Sequence, residues 1–414
     1  MKRKHTSKTL LSLLLVTVML TLSGCGGAED LTKGITANSV NTEQISDAEN
    51  AAATDFALRL FRAGEKKGEN TLLSPLSVLS ALAMTANGAE EETLREMEEV
   101  LSMTTEELNS YLHAYMNSLS QGEGYKLHLA NSVWLTDDER FTVNEDFLQT
   151  NVDYYGAEIY RAPFDEKTCE KINVWVKKHT DGMIPEILKQ IPPEAVMCLV
   201  NALAFEAEWS QPYEEMQVRD GVFTREDGTE QTAEFMYSDE GHYLADDMAT
   251  GFIKYYKGYK YAFAALLPNE GVSVEEYIAS LDGESLHTML ANPQFDTVFA
   301  AVPKFEVEYG TELSEVLSGM GMNDAFDPEH ADFSGIGTSA RGNLYISQLI
   351  HKTFISVAEK GTKAGAATAT MMEAGGAPSE PKEVYLDRPF VYMLVDCENG
   401  TPLFVGTMMD VNAG

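Results

Sequence analysis

The sequence predicts one mixed α/β domain, and three observations support this prediction. The chain has 414 residues, of which 44% are hydrophobic and 23% charged, and this balance is typical of a globular protein. Segments with helical periodicity occur among apolar or alternating runs that are typical of strands. Neither an internal repeat nor a change of composition after residue 50 indicates a second domain.

The individual elements follow from local patterns. Apolar residues share one helical face from about Asp47 to Glu65, and Ser74-Pro75 then begins a buried helix that Asn87-Gly88 ends. Further helices are predicted at residues 143–155, from residue 172 to about 182, and within 270–290. Strands are predicted at residues 127–136, in the apolar run of 196–213, in short segments up to about 268, and from residue 298.

The first 24 residues have the features of a lipoprotein signal peptide. A basic start precedes the apolar run 10–22, which is too short for a comfortable membrane span. The sequence Leu22-Ser23-Gly24-Cys25 resembles a bacterial lipobox, in which the cysteine is acylated and becomes the mature N-terminus. This predicts an extracellular protein anchored by lipid to a bacterial cell surface; ordinary secretion with a coincidental cysteine is the alternative. Residues 25–50 are polar and aperiodic, so we expect the acylated cysteine to be followed by a flexible tether.

Charge and cysteine content exclude several kinds of partner and site. With 30 basic and 65 acidic residues the formal charge is −35, which disfavours nucleic acid and anionic membrane surfaces as partners. Besides Cys25 the chain has Cys169, Cys198 and Cys397, a widely spaced and odd set that forms no disulfide framework and has no metal-ligand spacing. Cys198 lies in an apolar run and is expected to be buried.

The functional prediction depends on the stretch that begins at Glu359. The twelve residues 361–372 contain no proline, no aromatic residue and one charge, at Lys363. Composition alone would allow a flexible linker. In an extended chain, however, one face would carry only uncharged and mostly small side chains: Thr362, Ala364, Ala366, Thr368, Thr370 and Met372. Because a proline or a charge on that face would block burial in a sheet, the pattern allows either an exposed loop or an inner strand.

The residues around this stretch resemble one protein family. The segment LYISQLIHKTFISVAEKGTKAGAATAT (344–370) closely resembles the serpins at the hinge of their reactive loop. The segment DRPFVYMLVDCENGTPLFVGTMMD (387–410) looks like the family's strands after the loop. The resemblance covers roughly residues 50–412. It implies a serpin domain at 51–414 with a large central β-sheet, two further sheets, about nine helices and an exposed reactive loop at about 359–382.

The resemblance also implies which residues act. The hinge would comprise Glu359, Gly361, Thr362, Ala364, Ala366 and Thr368. Asn201 resembles the asparagine that bonds His351 beside Ser74 and Ser77, where the sheet must open, and Trp209 resembles the tryptophan where the loop first enters.

The implied function is suicide inhibition of serine peptidases, followed by insertion of the cleaved loop into the central sheet. The family's usual spacing from Glu359 places the cut at Gly375-Gly376, whereas counting back from Pro389 places it near Pro378, a chemically poor site. Ala374-Gly375 and Met372-Glu373 are also plausible bonds. All of them suit elastase-like or subtilisin-like peptidases, and a trypsin-like target is disfavoured because no Arg or Lys lies between 364 and 381.

Other functions have less support. A non-inhibitory serpin that acts as a binding or scaffold protein is the main alternative. No nucleophile motif accompanies His351, so we do not expect an enzyme. The acidic cluster of Asp324, Asp327, His330 and Asp332 lacks the spacing of a calcium loop, and neither a metal nor a cofactor is predicted. The protein is expected to be a monomer.

Overall fold

A computed structural model describes residues 27–41, 44–119, 124–137, 141–339, 342–362 and 380–413. Nine α-helices occur in these ranges: α1 (Asp47–Gly64), α2 (Pro75–Ala86), α3 (Glu91–Leu101), α4 (Thr105–Ser118), α5 (Glu145–Tyr155), α6 (Glu166–His179), α7 (Val274–Ser280), α8 (Gly283–Ala291) and α9 (Ser314–Gly319). No helix within the described ranges is long and apolar enough to cross a bilayer.

The strands are β1 (Glu29–Asp30), β2 (Thr71–Leu73), β3 (Tyr125–Thr136), β4 (Thr142–Val143), β5 (Glu158–Ala162), β6 (Met197–Glu208), β7 (Val218–Thr224), β8 (Glu230–Ala245), β9 (Ala249–Tyr255), β10 (Tyr261–Pro268), β11 (Gln294–Pro303), β12 (Phe305–Glu312), β13 (Gly337–Thr338), β14 (Gln348–Ala358), β15 (Gly361–Thr362), β16 (Lys382–Tyr385), β17 (Phe390–Asp396) and β18 (Thr401–Met408).

The strands of the described residues form three sheets. A seven-stranded sheet, here called the large sheet, has the order β1-β5-β3-β6-β15-β14-β12. A nine-stranded sheet contains β16-β11-β8-β9-β10-β17-β18-β2, with β7 paired to β8, and β13 pairs with β4 in a small third sheet. The expected mixed α/β architecture with a large sheet and two further sheets is thereby confirmed.

The central strands are buried on both faces. Every residue from Met197 to Phe205 in β6 is buried, as is every residue of β10, β17 and β18. Strands covered on both sides have continuous apolar runs instead of alternation, which is why these segments read as long hydrophobic stretches in the sequence. The helix α2 lies beneath the large sheet with all twelve of its residues buried, so it contributes to the core around its full circumference.

The first described segment differs from the flexible tether predicted for residues 25–50. Here β1 pairs with the edge of β5, with Glu29 opposite Arg161, and the two side chains form an ion pair. Further along, the Asn38 backbone and side chain both donate to the carboxylate of Asp153, at 2.7 and 3.0 Å. The prediction of a flexible tether is wrong for this segment, because the unpaired backbone groups of the edge strand β5 give it hydrogen-bonding partners.

Candidate functional site

The start of the predicted reactive loop already lies inside the large sheet. The short strand β15 pairs antiparallel with β6, placing Gly361 opposite Glu208 and Thr362 opposite Ala207. It also pairs antiparallel with the end of β14. An exposed loop was expected from residue 359, and this expectation is wrong for Gly361 and Thr362, because the tops of β6 and β14 diverge enough to accept one more strand.

Glycine is required at position 361. Its φ is +148°, and a Cβ atom added there would lie 2.0 Å from the carbonyl oxygen of Ala207. Since real Cβ atoms do not approach backbone so closely, any larger residue would force β15 away from β6. Gly361 therefore permits the close approach of β15 to β6.

Thr362 is fully buried and has a specific partner. Its Oγ1 lies 2.6 Å from the hydroxyl oxygen of Tyr256, and either oxygen can donate. The Tyr256 ring in turn stacks on Trp209, with ring centroids 4.3 Å apart and planes 10° apart. The buried hydroxyl of Thr362 therefore has a hydrogen-bond partner, Tyr256, whose ring is itself held by stacking on Trp209.

The turn before β15 is fixed by backbone hydrogen bonds. The amide of Trp209 donates to the carbonyl of Lys360 at 2.9 Å, and the amide of Tyr213 donates to that of Glu359 at 2.8 Å. The indole N–H of Trp209 also donates to the Ala358 carbonyl at 2.8 Å. Trp209 therefore contacts both the end of β14 and the turn itself, next to the position where insertion would begin.

Two lysines form ion pairs at this end of the sheet, and nothing in their local sequence pattern indicates these contacts. Lys304 forms ion pairs with Glu359 and with Glu234, the latter at 3.0 Å, and its hydrogen bond holds the pKa of the Glu359 carboxyl below its usual value. Lys254 is buried, 4.3 Å from the ring centroid of Tyr213. Burial by itself would lower the pKa of Lys254. The carboxylate of Glu240, 2.8 Å away, and the hydroxyl of Tyr213 outweigh this effect, so the pKa of Lys254 is raised.

A second group of polar side chains lies lower in the same seam, between β6 and β14. Asn201 is directly opposite His351 across the parallel pairing and opposite Asn131 on its other side. The Oδ1 atom of Asn201 accepts from His351 Nδ1 and from Ser77 Oγ, the latter at 2.8 Å. Its amide nitrogen donates to Asn131 Oδ1 at 2.6 Å. Both the oxygen and the nitrogen of the buried amide therefore have hydrogen-bond partners, as is usual for a polar group in an apolar core.

His351 is held neutral by its surroundings. The backbone amide of Ser74 donates to Nε2 at 3.1 Å, so the ring proton is on Nδ1, which donates to Asn201. Burial lowers the pKa of His351 to about 3. Ser74 precedes α2 at the N-cap position, but its hydroxyl makes no cap hydrogen bond. Its backbone amide instead connects α2 to the histidine.

Insertion of a further strand would have to separate these groups. Below β15, residues 348–354 of β14 pair directly with residues 198–204 of β6. Beside the seam, Lys352 of β14 donates from Nζ to the Glu186 carbonyl at 2.6 Å and forms an ion pair with Glu308 of β12 at the same distance. Sequence reasoning missed the role of Lys352, since nothing in its local pattern indicates a contact with the segment after α6.

The remaining predicted site residues lie outside the described residues. These are Cys25, the hinge positions Ala364, Ala366 and Thr368, and the candidate cleavage positions Met372, Glu373, Ala374, Gly375 and Gly376. Among the residues that the structure does describe, no group of three or more His, Cys, Asp or Glu side chains is placed to hold a metal ion. In the acidic cluster near residue 327, Asp327 instead pairs with His330 at 3.0 Å.

Comparison with known proteins agrees with this geometry. The sequence profile of the family described as Serpin (serine protease inhibitor) matches residues 51–411. A serpin-like protein of Thermococcus kodakarensis is 32% identical over 88% of this chain and 86% of its own. The leukocyte elastase inhibitor of Equus caballus is 31% identical over 88% of this chain and 98% of its own. The crystal structure of tengpin, a thermophilic serpin in the native state, superposes with a TM-score of 0.88 and 45% identity, covering 92% of this chain and 99% of tengpin.

Proposed function

Because the chain belongs to the serpin family, we propose that it traps serine peptidases by loop cleavage and insertion of the loop into the large sheet. Membership of a family of inhibitors also confirms that the chain is not an enzyme. The observation that carries the proposal is the position of β15 between β6 and β14. A sheet that already accepts Gly361 and Thr362 in antiparallel register has an entry point for the residues that follow.

The reaction divides into two steps. The serine oxygen of the peptidase attacks the carbonyl carbon of the loop peptide bond, the C–N bond breaks, and the new amino terminus leaves with a proton. The loop remains esterified to the peptidase through the carbonyl carbon. Insertion then competes with hydrolysis of that ester, and trapping follows if insertion is faster.

The register of β15 predicts where the cleaved loop would go. If the pairing with β6 continued, each further loop residue would pair one residue earlier in β6, and residue 372 would lie opposite Met197 at the far end of the strand. The inward side chains would follow Thr362 at alternate positions, and they are uncharged and mostly small. New ladder hydrogen bonds and buried methyl groups would supply the free energy, so the uncleaved state is a kinetic trap.

We further propose that the targets are elastase-like or subtilisin-like peptidases. The candidate bonds follow Met372, Ala374 or Gly375, which are small or apolar, and Arg and Lys are missing from 364 to 381. A 31% identical relative is named as a leukocyte elastase inhibitor, which agrees with this assignment.

The test is incubation with pancreatic elastase, subtilisin and trypsin, followed by denaturing gels and mass spectrometry of the released C-terminal peptide. A covalent adduct with elastase or subtilisin, and a peptide that begins between residues 373 and 377, are expected. Cleavage without an adduct would favour the non-inhibitory alternative, and an adduct formed only with trypsin would reject the proposed specificity.

The proposed location is the outer surface of a bacterial cell, with the protein anchored through acylated Cys25. The basic start, the apolar run and Leu22-Ser23-Gly24-Cys25 support it. Mass spectrometry of the native N-terminus should show a lipid-modified Cys25, and Cys25→Ser should lose partitioning into detergent. An unmodified N-terminal residue would reject the anchor.

A further inference from the structure

The first strand after the proposed lipid anchor joins the large sheet at one particular end. Glu29 in β1 is opposite Arg161 in β5, Arg161 is opposite Leu135 in β3, and Leu135 is opposite Met197 in β6. These four residues form one row across the sheet, here called the anchor end. Because β1 runs antiparallel to β5, from Glu29 in this row to Asp30 opposite Tyr160, the chain enters the large sheet at this end.

The hinge of the loop lies at the opposite end. Gly361 is opposite Glu208, the last residue of β6, whereas Met197 is the first. Eleven residue steps separate Met197 from Glu208, which corresponds to about 36 Å along an extended strand. We call the row of Gly361 and Glu208 the loop end.

The connection between the anchor and the sheet is short. Cys25 and Glu29 are four residues apart, so even a fully extended chain spans only about 14 Å. The attachment of β1 is reinforced beyond its own pairing, since the Leu31 amide donates to the Ile159 carbonyl at 2.8 Å and Thr32 is buried. A lipid on Cys25 would therefore keep the anchor end close to the membrane.

We propose that the protein stands on a lipid surface by the anchor end, with the loop end directed away from the lipid. The loop is then presented to peptidases that approach from solution.

The second part of the inference rests on the proposed trapping function. Continued pairing from Thr362 opposite Ala207 brings residue 372 opposite Met197, in the row of the anchor end. Insertion would therefore carry the acylated peptidase from the distal end of the domain towards the lipid surface. A peptidase of about 240 residues has a radius of gyration of about 18 Å, which exceeds the 14 Å reach of the connection. To accommodate it, the domain must tilt on the membrane or β1 must unpair.

The orientation can be tested on the acylated protein in phosphatidylcholine vesicles that carry a lipid-linked energy acceptor. Donor dyes are placed on Gln211→Cys, which is exposed near the loop end, or on Glu194→Cys, which is exposed near the anchor end. Cys397→Ser is used as the background, because Cys169 and Cys198 are buried. Severalfold greater energy transfer from position 194 is expected, and equal transfer or the reverse order would overturn the proposal.

The movement is tested by labelling the peptidase instead. A subtilisin whose nucleophilic serine is replaced by alanine reports the docked position on the loop, and active subtilisin reports the trapped position. Energy transfer to the lipid should rise severalfold on trapping; no rise despite a covalent adduct would overturn the second part. A 20-residue Gly/Ser spacer between Gly27 and Ala28 is the control, since it should abolish both differences without changing adduct formation in solution.

These outcomes separate the proposals. Absence of a covalent adduct in solution would remove the trapping function and the predicted movement, yet the order of positions 194 and 211 would still decide the orientation. An N-terminus without lipid would remove the orientation and leave trapping in solution unaffected.

Discussion

Replacing Thr362 by arginine should convert the proposed inhibitor into a substrate. Thr362 is fully buried between β6 and β14, and its hydroxyl contacts Tyr256 at 2.6 Å. An arginine there would place an uncompensated charge in the sheet, which costs several kcal/mol. The variant should therefore lack β15 before any peptidase binds, and insertion of the cleaved loop would then have to bury the arginine.

The size of the effect follows from competition between insertion and hydrolysis of the acyl-enzyme. Each ~1.4 kcal/mol added to the insertion barrier slows that step about tenfold. A burial cost of ~3 kcal/mol would thus slow insertion by about two orders of magnitude, whereas attack on the loop bond, ten or more residues away, should be unaffected.

The assay is the ratio of covalent adduct to cleaved protein on denaturing gels at increasing amounts of subtilisin or elastase. Thr362→Arg should give mostly cleaved protein, cut at the same bond as the parent. Ala366→Pro should act in the same direction, because proline cannot donate to the strand ladder. Thr362→Ser, which keeps the hydroxyl, and Lys363→Glu, predicted to face outward, should trap nearly as well as the parent. If Thr362→Arg traps with parental efficiency, insertion through this seam is not the mechanism.

Three further outcomes are expected. Gly361→Ala should expel β15, because its Cβ would meet the Ala207 carbonyl at 2.0 Å; tryptophan emission should shift as Trp209 loses its contacts, and an unchanged spectrum would contradict this. The pKa of His351 is about 3 in the folded protein, against 6.5 for an ordinary histidine. As the pH falls below 6.5 the unfolded state binds a proton that the folded state does not, so the free energy of unfolding falls from its value above pH 6.5 until the pH approaches 3. At pH 5 the loss is about 2 kcal/mol, so the melting temperature should fall between pH 7 and 5 by less in His351→Gln than in the parent. Cleavage between residues 372 and 377 should raise the melting temperature sharply, and an unchanged midpoint would favour the non-inhibitory alternative.

Much of the fold could be predicted from local patterns because these elements are specified by their own residues. The helix from Asp47 begins at Ser46, whose side chain and that of Glu49 form a reciprocal cap, and the strand β6 is apolar because both its faces are covered. The predicted helix within 270–290 is in fact two helices, α7 and α8, which Leu281 and Asp282 separate. The side chain of Asp282 caps the second helix, and this local signal was present in the sequence.

The sequence by itself determined the uncharged face of the loop segment, the glycine at its start and the apolar run that contains Asn201. These are properties of residue type and spacing, and they do not depend on distant parts of the chain. Only the tertiary structure decided that β15 is already inserted, that Lys304 holds Glu359 and that residues 29–30 extend the sheet at its far edge. Each of these joins segments far apart in the chain, and whether they meet depends on strand order and register, which local pattern does not encode.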